Sequence, residues 1–108
     1  GLNETLIGMT MHNFGIELGR YALANNYFNR CVINAEIFDP KAAVHAGFFD
    51  RVVPEEQWPM AIPMIGQMFG QLNKDAFRGT KLRSRKAIFK ILDQAIEDDL
   101  DPAKVHAM

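Results

Sequence analysis

The stretch INAEIFDPKAAVHAGFFDRVVPEEQ, residues 33–57, contains the clearest secondary-structure signals of the chain. Asp39 is a plausible helix N-cap, and Pro40 suits the first helical position, where its missing N–H loses no hydrogen bond. Gly47 can adopt the left-handed conformation that commonly ends a helix. This spacing predicts a short helix between Pro40 and Gly47.

The segment FFDRVV, residues 48–53, follows directly and predicts a short strand. It is aromatic and β-branched, and it lies between Gly47 and Pro54, which leaves too little length for a helix. A lone strand cannot satisfy its own backbone hydrogen-bonding groups. The segment therefore either pairs with strand material outside these 108 residues or is an extended connector.

Helical periodicity precedes this stretch. Asn13 can cap a helix over 13–24, in which apolar residues recur at helical spacing, and a second short helix is predicted within YFNRCVINAE, residues 27–36. The apolar positions of the first helix are Phe14, Leu18, Tyr21 and Ala22, and those of the second are Phe28, Cys31, Val32 and Ala35.

Two further helices are predicted after Pro54. One begins near Glu55 and is bent or delayed by Pro63; its apolar face comprises Trp58, Ile62, Ile65, Phe69 and Leu72. Another runs from Asn73 to about residue 100, either restarting near Arg83 or continuous from about Asp75; its apolar side comprises Ile88, Ile91, Leu92, Ala95 and Ile96. The predicted fold class is thus mainly α, with about five helices and one short strand.

Composition narrows the class of protein. The chain is 48% hydrophobic and 23% charged with a formal net charge of −1, which is typical of a globular domain and gives no global attraction to nucleic acid. No apolar run approaches the roughly 20 residues of a membrane span. Cys31 is the only cysteine, which favours a reducing, cytoplasmic compartment.

The 33–57 stretch resembles the crotonase superfamily of enoyl-CoA hydratases and isomerases. The family pattern sA-x-x-A-x-x-x-G-L-V-(D/N)-x-V-V-P is matched by Asp39, Ala42, Ala46 or its neighbour, Gly47, Phe49, Asp50, Val52, Val53 and Pro54. Extended backward without gaps, the resemblance places GLNETLIGMT, residues 1–10, on the family segment F-G-x-P-E-x-x-x-G. Gly1, Glu4 and Gly8 then fall on matching positions, with Asn3 where proline is common.

The resemblance implies the C-terminal part of an α/β crotonase (ClpP/crotonase-like) fold. Residues 1–53 would form the end of the core with a wall of the acyl pocket, 54–100 a helical trimerisation region, and 101–108 a polar tail. The implied partners are an acyl-CoA substrate, the missing N-terminal part of the same subunit, and further copies in a homotrimer or a dimer of trimers. No separate cofactor is implied, because coenzyme A is part of the substrate.

The resemblance also implies that Glu4 is one of two glutamates that do acid and base work in the family's hydratases. Hydration needs a base, an acid and N–H donors for the enolate oxygen, whereas isomerisation can use one carboxylate. The second carboxylate and the oxyanion hole would lie upstream. Three interpretations stay open: an enoyl-CoA hydratase, an enoyl-CoA delta-isomerase, and a non-catalytic helical oligomerisation module in which Glu4 is a surface or capping residue.

Candidate substrate-binding residues lie in two places. Ile7, Gly8 and Met9 follow Glu4 and are expected to line the acyl pocket. TMHNFGIELGR, residues 10–20, departs from the glycine-rich P-G-x-G-G start common in the family, so acyl-group preference does not transfer.

Lys81 and Arg85 belong to a basic run between Arg78 and Lys90. The run is either a solvated or intersubunit face or, as the resemblance implies, in part a contact for the CoA phosphates. His12, His45 and His106 are widely spread and share no ligand spacing, so no metal site is predicted. Cys31 on an apolar stripe predicts a buried, inert thiol.

Overall fold

A computed structural model describes residues 1–105 and shows them to be helical and otherwise irregular. The α-helices are α1 (Asn13–Ala22), α2 (Pro40–Ala46), α3 (Trp58–Gly70), α4 (Lys74–Leu100) and α5 (Pro102–Val105). Turns of 3₁₀ helix occupy Thr5–Ile7, Asn25–Tyr27 and Glu55–Gln57, and a π-helix occupies Asn29–Ile33. The mainly α fold class is confirmed.

The helix starts follow local capping chemistry. In α2, Asp39 accepts a 2.8 Å hydrogen bond from the Ala42 N–H, Pro40 is the first residue, and Gly47 ends the helix at φ 103°. In α1 the predicted cap is displaced by one residue, because His12 is the N-cap and Asn13 is already helical. The imidazole Nδ1 of His12 accepts from the Gly15 N–H at 2.8 Å, as a shorter polar side chain would.

The predicted strand over 48–53 is wrong for the described part of the chain. Those residues have no regular secondary structure, with bends at Phe48 and Asp50, so the segment is a connector, as in the alternative that the sequence left open. The physical reason is the one that applies to any isolated strand: residues 1–105 offer no neighbouring strand to complete a hydrogen-bonded ladder.

α3 and α4 are each continuous across a residue that disfavours the interior of a helix. Pro63 lies inside α3 without ending it, and α4 runs through Gly79 from its N-cap Asn73, which accepts from the Ala76 N–H at 2.9 Å. The continuous alternative for the basic run is therefore correct, and no helix restarts near Arg83. The expected second helix over 27–36 is shorter and takes the form of the π-helix.

A small core lies between α1, the π-helix and the end of α2. Its buried residues are Met11, Leu23, Cys31, Val32 and Ala46. Phe38 packs on the rings of Tyr27 and Phe48, with centroid separations of 5.9 and 6.1 Å. The Arg30 guanidinium covers the Tyr27 ring and makes a paired hydrogen bond to Glu36. This core positions the N-terminal residues 1–11 against α1.

α1 and α4 run antiparallel, since the start of α1 contacts the end of α4 at Asp99, whereas Tyr21 at the end of α1 shares a groove with Phe77 near the start of α4. The N-terminal half of α4 and most of α3 lie away from the core, and large apolar side chains of α3 are exposed: Trp58, Met60, Ile62, Met64, Met68 and Phe69. Within residues 1–105, no helix combines the length and the apolar character that crossing a bilayer requires.

Candidate active site

An apolar cleft of about 330 Å³ runs along one side of α1. One wall is formed by α1, where Phe14, Leu18 and Ala22 follow at i, i+4 and i+8 and the glycines Gly15 and Gly19 lie beside them on the same face. The remaining lining comes from the N-terminal segment, the two residues that flank α1 and the end of α2: Leu2, Glu4, Met11, His12, Leu23, Gly47 and Phe48. Glu4 is the only carboxylate among the lining residues that the structure describes.

Glu4 begins the 3₁₀ turn Thr5–Ile7, so its backbone is fixed by the turn. Its carbonyl oxygen accepts from the N–H groups of Ile7 and Met9 at 3.2 and 2.8 Å. Its carboxylate oxygen Oε2 is buried and has no hydrogen-bond partner among residues 1–105. Leaving a buried polar oxygen unpaired is costly, so such an atom in a native site is typical of a group that meets a ligand or a further part of the protein.

Thr5 ties this turn to the rest of the fold. Its hydroxyl donates a 2.8 Å hydrogen bond to the carbonyl oxygen of Ile33, the last residue of the π-helix. Carbonyl groups at a helix end have no partner within the helix, so this acceptor is available to a distant side chain. The link gives the residue next to Glu4 a fixed anchor, and the sequence carried no signal for it.

The start of α1, which forms part of the cleft wall, is held by a residue from the far end of the chain. Asp99 of α4 accepts hydrogen bonds from the N–H groups of Asn13 and Phe14 at 2.8 and 2.9 Å and from the Asn13 side chain at 3.0 Å. Partial burial acts to raise the pKa of Asp99, but these hydrogen bonds outweigh it, and the pKa is lowered.

The predicted substrate-binding residues near Glu4 do not share its cleft. Gly8 and Met9 line a separate hollow with Thr5 and Ile33, on the other side of Met11, and Ile7 is 61% exposed and lines neither. The residues after Glu4 turn away because Gly8 ends the 3₁₀ turn at φ 80°. The apolar stripe of α1 that lines the cleft was visible in the sequence as helical periodicity. A stripe that packs against a core has the same periodicity, so the sequence did not distinguish the two.

Lys81 and Arg85 are brought together by helical spacing. They line one groove with Phe77 of α4 and Tyr21 of α1, and the Lys81 ammonium lies 5.3 Å from the centre of the Phe77 ring. Residues four apart lie on one face of a helix. The groove is a cationic surface with two aromatic side chains, distinct from the cleft that contains Glu4.

The structure also shows the surroundings of Cys31 and His12, two further residues considered in the sequence. Cys31 is fully buried, and burial raises the pKa of its thiol, as expected of an inert residue. His12 caps α1, while His106 lies outside the described residues. Nowhere in residues 1–105 do three His, Cys, Asp or Glu side chains come together in a group that could hold a metal ion.

Solved structures with the same fold are named as enoyl-CoA hydratase or isomerase proteins. An enoyl-CoA hydratase/isomerase family protein from Pseudomonas syringae is 46% identical over 100% of this chain, with a TM-score of 0.89. An enoyl-CoA hydratase from Mycobacterium marinum and an enoyl-CoA isomerase from Mycobacterium tuberculosis are each 28% identical over 88% of the chain, with TM-scores of 0.79 and 0.80. No protein-family model and no curated protein matches the chain.

The chain thus matches part of an enoyl-CoA hydratase/isomerase family protein in both fold and sequence, which confirms the resemblance to the crotonase superfamily. It spans 45% of the length of the Pseudomonas syringae protein and 42% of the two mycobacterial ones. The described helices thus correspond to a portion of a crotonase-fold protein.

Proposed function

We propose that the full-length protein to which this chain corresponds is an enoyl-CoA hydratase in which Glu4 is one of the two acid/base groups. The observation that carries the proposal is the Glu4 carboxylate oxygen Oε2, buried at the wall of an apolar cleft without a hydrogen-bond partner in the described residues. An apolar cleft suits the hydrocarbon part of an acyl thioester, because burying it removes apolar surface from water. Structural relatives named for this chemistry support the same interpretation.

In hydration, a carboxylate takes a proton from water as the water oxygen bonds to the β-carbon of the enoyl group. The electron pair of the double bond moves toward the thioester carbonyl, and the resulting enolate is protonated at the α-carbon, giving a 3-hydroxyacyl thioester. Glu4 would supply one of these proton transfers, and its partner carboxylate and the N–H donors for the enolate oxygen would come from outside this chain. The proton transfer from such a positioned group is worth roughly 10²- to 10⁴-fold in rate.

The test is Glu4→Gln in the full-length protein, with Glu56→Gln as the matched control because Glu56 is exposed in the turn Glu55–Gln57. We expect the Glu4 variant to lose roughly 10²- to 10⁴-fold in turnover of an enoyl-CoA, measured by loss of the conjugated thioester absorbance, with binding of CoA retained. The control is expected to match the wild type. Unchanged turnover by Glu4→Gln would refute the assignment.

Isomerisation is the second candidate, because one matched structure of the Mycobacterium tuberculosis protein is named an enoyl-CoA isomerase, whereas another structure of the same protein is named a probable enoyl-CoA hydratase. The two reactions differ in mass balance, since hydration adds one water to the substrate and isomerisation adds nothing. Mass spectrometry of the product formed from a 2-enoyl-CoA and from a 3-enoyl-CoA separates them. A product heavier by one water supports the hydratase, whereas a shifted double bond at unchanged mass supports the isomerase.

Lys81 and Arg85 are proposed to bind the phosphate groups of CoA. The groove gives two cations on one helix face beside the rings of Phe77 and Tyr21, which is a suitable surface for a phosphorylated nucleotide.

The exposed apolar side chains of α3, which include Trp58 and Met60, are proposed to be covered in the complete protein by the rest of the subunit or by other copies in a homotrimer or a dimer of trimers. A cytoplasmic location stays a prediction.

A further inference from the structure

The first turn of α1 depends on a residue that comes 86 positions later in the chain. The first four N–H groups of a helix have no partner within it. In α1, those of Asn13 and Phe14 donate to the Asp99 carboxylate and that of Gly15 donates to the His12 side chain, while the regular i→i−4 bonds begin with the Ile16 N–H and the His12 carbonyl oxygen at 3.1 Å. Two of the first three N–H groups within α1 are therefore satisfied by α4.

The negative charge of Asp99 is stabilised by the N-terminus of α1 and not by α4, the helix to which Asp99 belongs. A carboxylate at a helix C-terminus is opposed by the helix dipole, whereas one at an N-terminus is favoured. Asp99 lies at the C-terminal end of α4 and at the N-terminal end of α1 at the same time. Its neighbour Asp98 makes different contacts, to Lys104 at 2.7 Å and Gln94 at 2.9 Å.

The contact between Asp99 and α1 lies beside the cleft. His12, Phe14 and Gly15, all in or next to the turn that Asp99 holds, line the same cleft as Glu4. Gly15 leaves little spare room there, since a Cβ at this position would lie 2.6 Å from the Met11 sulfur and 2.7 Å from the His12 ring. A first turn that frays would move these lining groups into the cleft or away from it.

We propose that Asp99 is a positioning residue for the acyl cleft, holding the first turn of α1 so that its lining side chains form one wall of the cleft that contains Glu4. This inference rests on the proposed function, because it takes the occupant of the cleft to be the acyl group of a CoA thioester. Asp99 touches no substrate in this assignment. It acts through Asn13 and Phe14, and its effect falls on the acyl part of the ligand and not on CoA.

The test compares Asp99→Asn with Asp98→Asn in the full-length protein. Both variants remove one carboxylate from the same turn of α4, but only Asp99 contacts α1. Calorimetry measures the affinity for a non-reactive acyl-CoA analogue and for CoA alone. We expect Asp99→Asn to weaken binding of the analogue about fivefold and to leave CoA binding unchanged, because the amide keeps one acceptor oxygen and leaves one of the two N–H groups of α1 without a partner. Asp98→Asn is expected to alter neither.

Two further measurements separate positioning from general destabilisation. Hydrogen exchange of a peptide covering the first turn of α1 is expected to speed up in Asp99→Asn and not in Asp98→Asn. Asp99→Glu keeps the carboxylate and is expected to recover part of the lost affinity for the analogue.

The possible failures are distinguishable. Equal affinities for the analogue in Asp99→Asn and Asp98→Asn would overturn the inference alone. An equal loss of affinity for the analogue and for CoA in Asp99→Asn would also overturn it, because the effect would then be general. Absence of analogue binding by the wild type would overturn the proposed function together with the inference.

Discussion

Gly47 is the position where one added methyl group should cost the most stability. It ends α2 at φ 103°, a left-handed conformation that costs alanine about 1–2 kcal/mol. A Cβ there would also lie 2.9 Å from the Ala22 carbonyl oxygen and 3.2 Å from the Ala24 nitrogen, which are backbone atoms that cannot rotate away. The contact joins the ends of α1 and α2 beside the cleft.

The clash falls on a junction that already carries a hydrogen bond. The Ala24 N–H donates to the Ala46 carbonyl oxygen at 2.9 Å, so pushing the two helix ends apart would weaken this bond, at a cost of about 1 kcal/mol. Adding the conformational cost, we expect Gly47→Ala to lower the free energy of unfolding by about 2–3 kcal/mol.

The assay is urea unfolding of the full-length protein followed by circular dichroism. Gly79→Ala is the matched control, because Gly79 lies inside α4 and a Cβ there would meet nothing within 4 Å. That substitution is expected to raise stability by about 0.5–1 kcal/mol, since alanine is the better helix former. The reasoning is refuted if Gly47→Ala unfolds at the wild-type urea concentration or if the two variants shift in the same direction.

Two further predictions test the helix start of α2 and the cationic groove. Asp39→Ala removes the 2.8 Å bond from the Ala42 N–H and is expected to lower the free energy of unfolding by about 1 kcal/mol in the same urea assay, with a wild-type result counting against the cap. Lys81→Ala is expected to weaken CoA binding several-fold at low salt and less at high salt, whereas Lys86→Ala, outside the groove, should bind as the wild type. Equal affinities for the two lysine variants would contradict the phosphate assignment.

The local elements of this protein follow from short-range chemistry that can be recognised in the sequence. Asp39, Pro40 and Gly47 bound α2 where the sequence predicts, because an N-cap, a first-turn proline and a left-handed glycine each act within a few residues. The boundary of α1 was missed by one residue, because His12 used its ring nitrogen in the place of the more usual capping side chains. The strand over 48–53 failed for the opposite reason, since a strand needs a partner that no local pattern supplies.

In the candidate site too, some features were visible in the sequence and others depended on the tertiary structure. The motif around Glu4 indicated a functional carboxylate through the family resemblance, and the stripe of Phe14, Leu18 and Ala22 was visible as helical spacing. Periodicity indicates that a face is apolar, but whether it packs against a core or lines a cleft depends on the rest of the fold, and here the face lines the cleft that contains Glu4.

By itself, the sequence determined both ends of α2 and the start of α4 at Asn73, and it predicted the family through the residues around Gly47. Only the tertiary structure decided that α1 and α4 lie antiparallel, that Asp99 caps α1, and that Gly8 and Met9 lie in a different hollow from Glu4. The physical reason is the distance along the chain over which each interaction acts. Capping and periodicity act over one or two helical turns. The contact between Asp99 and Phe14 joins residues 85 positions apart, and it exists only once both helices have packed.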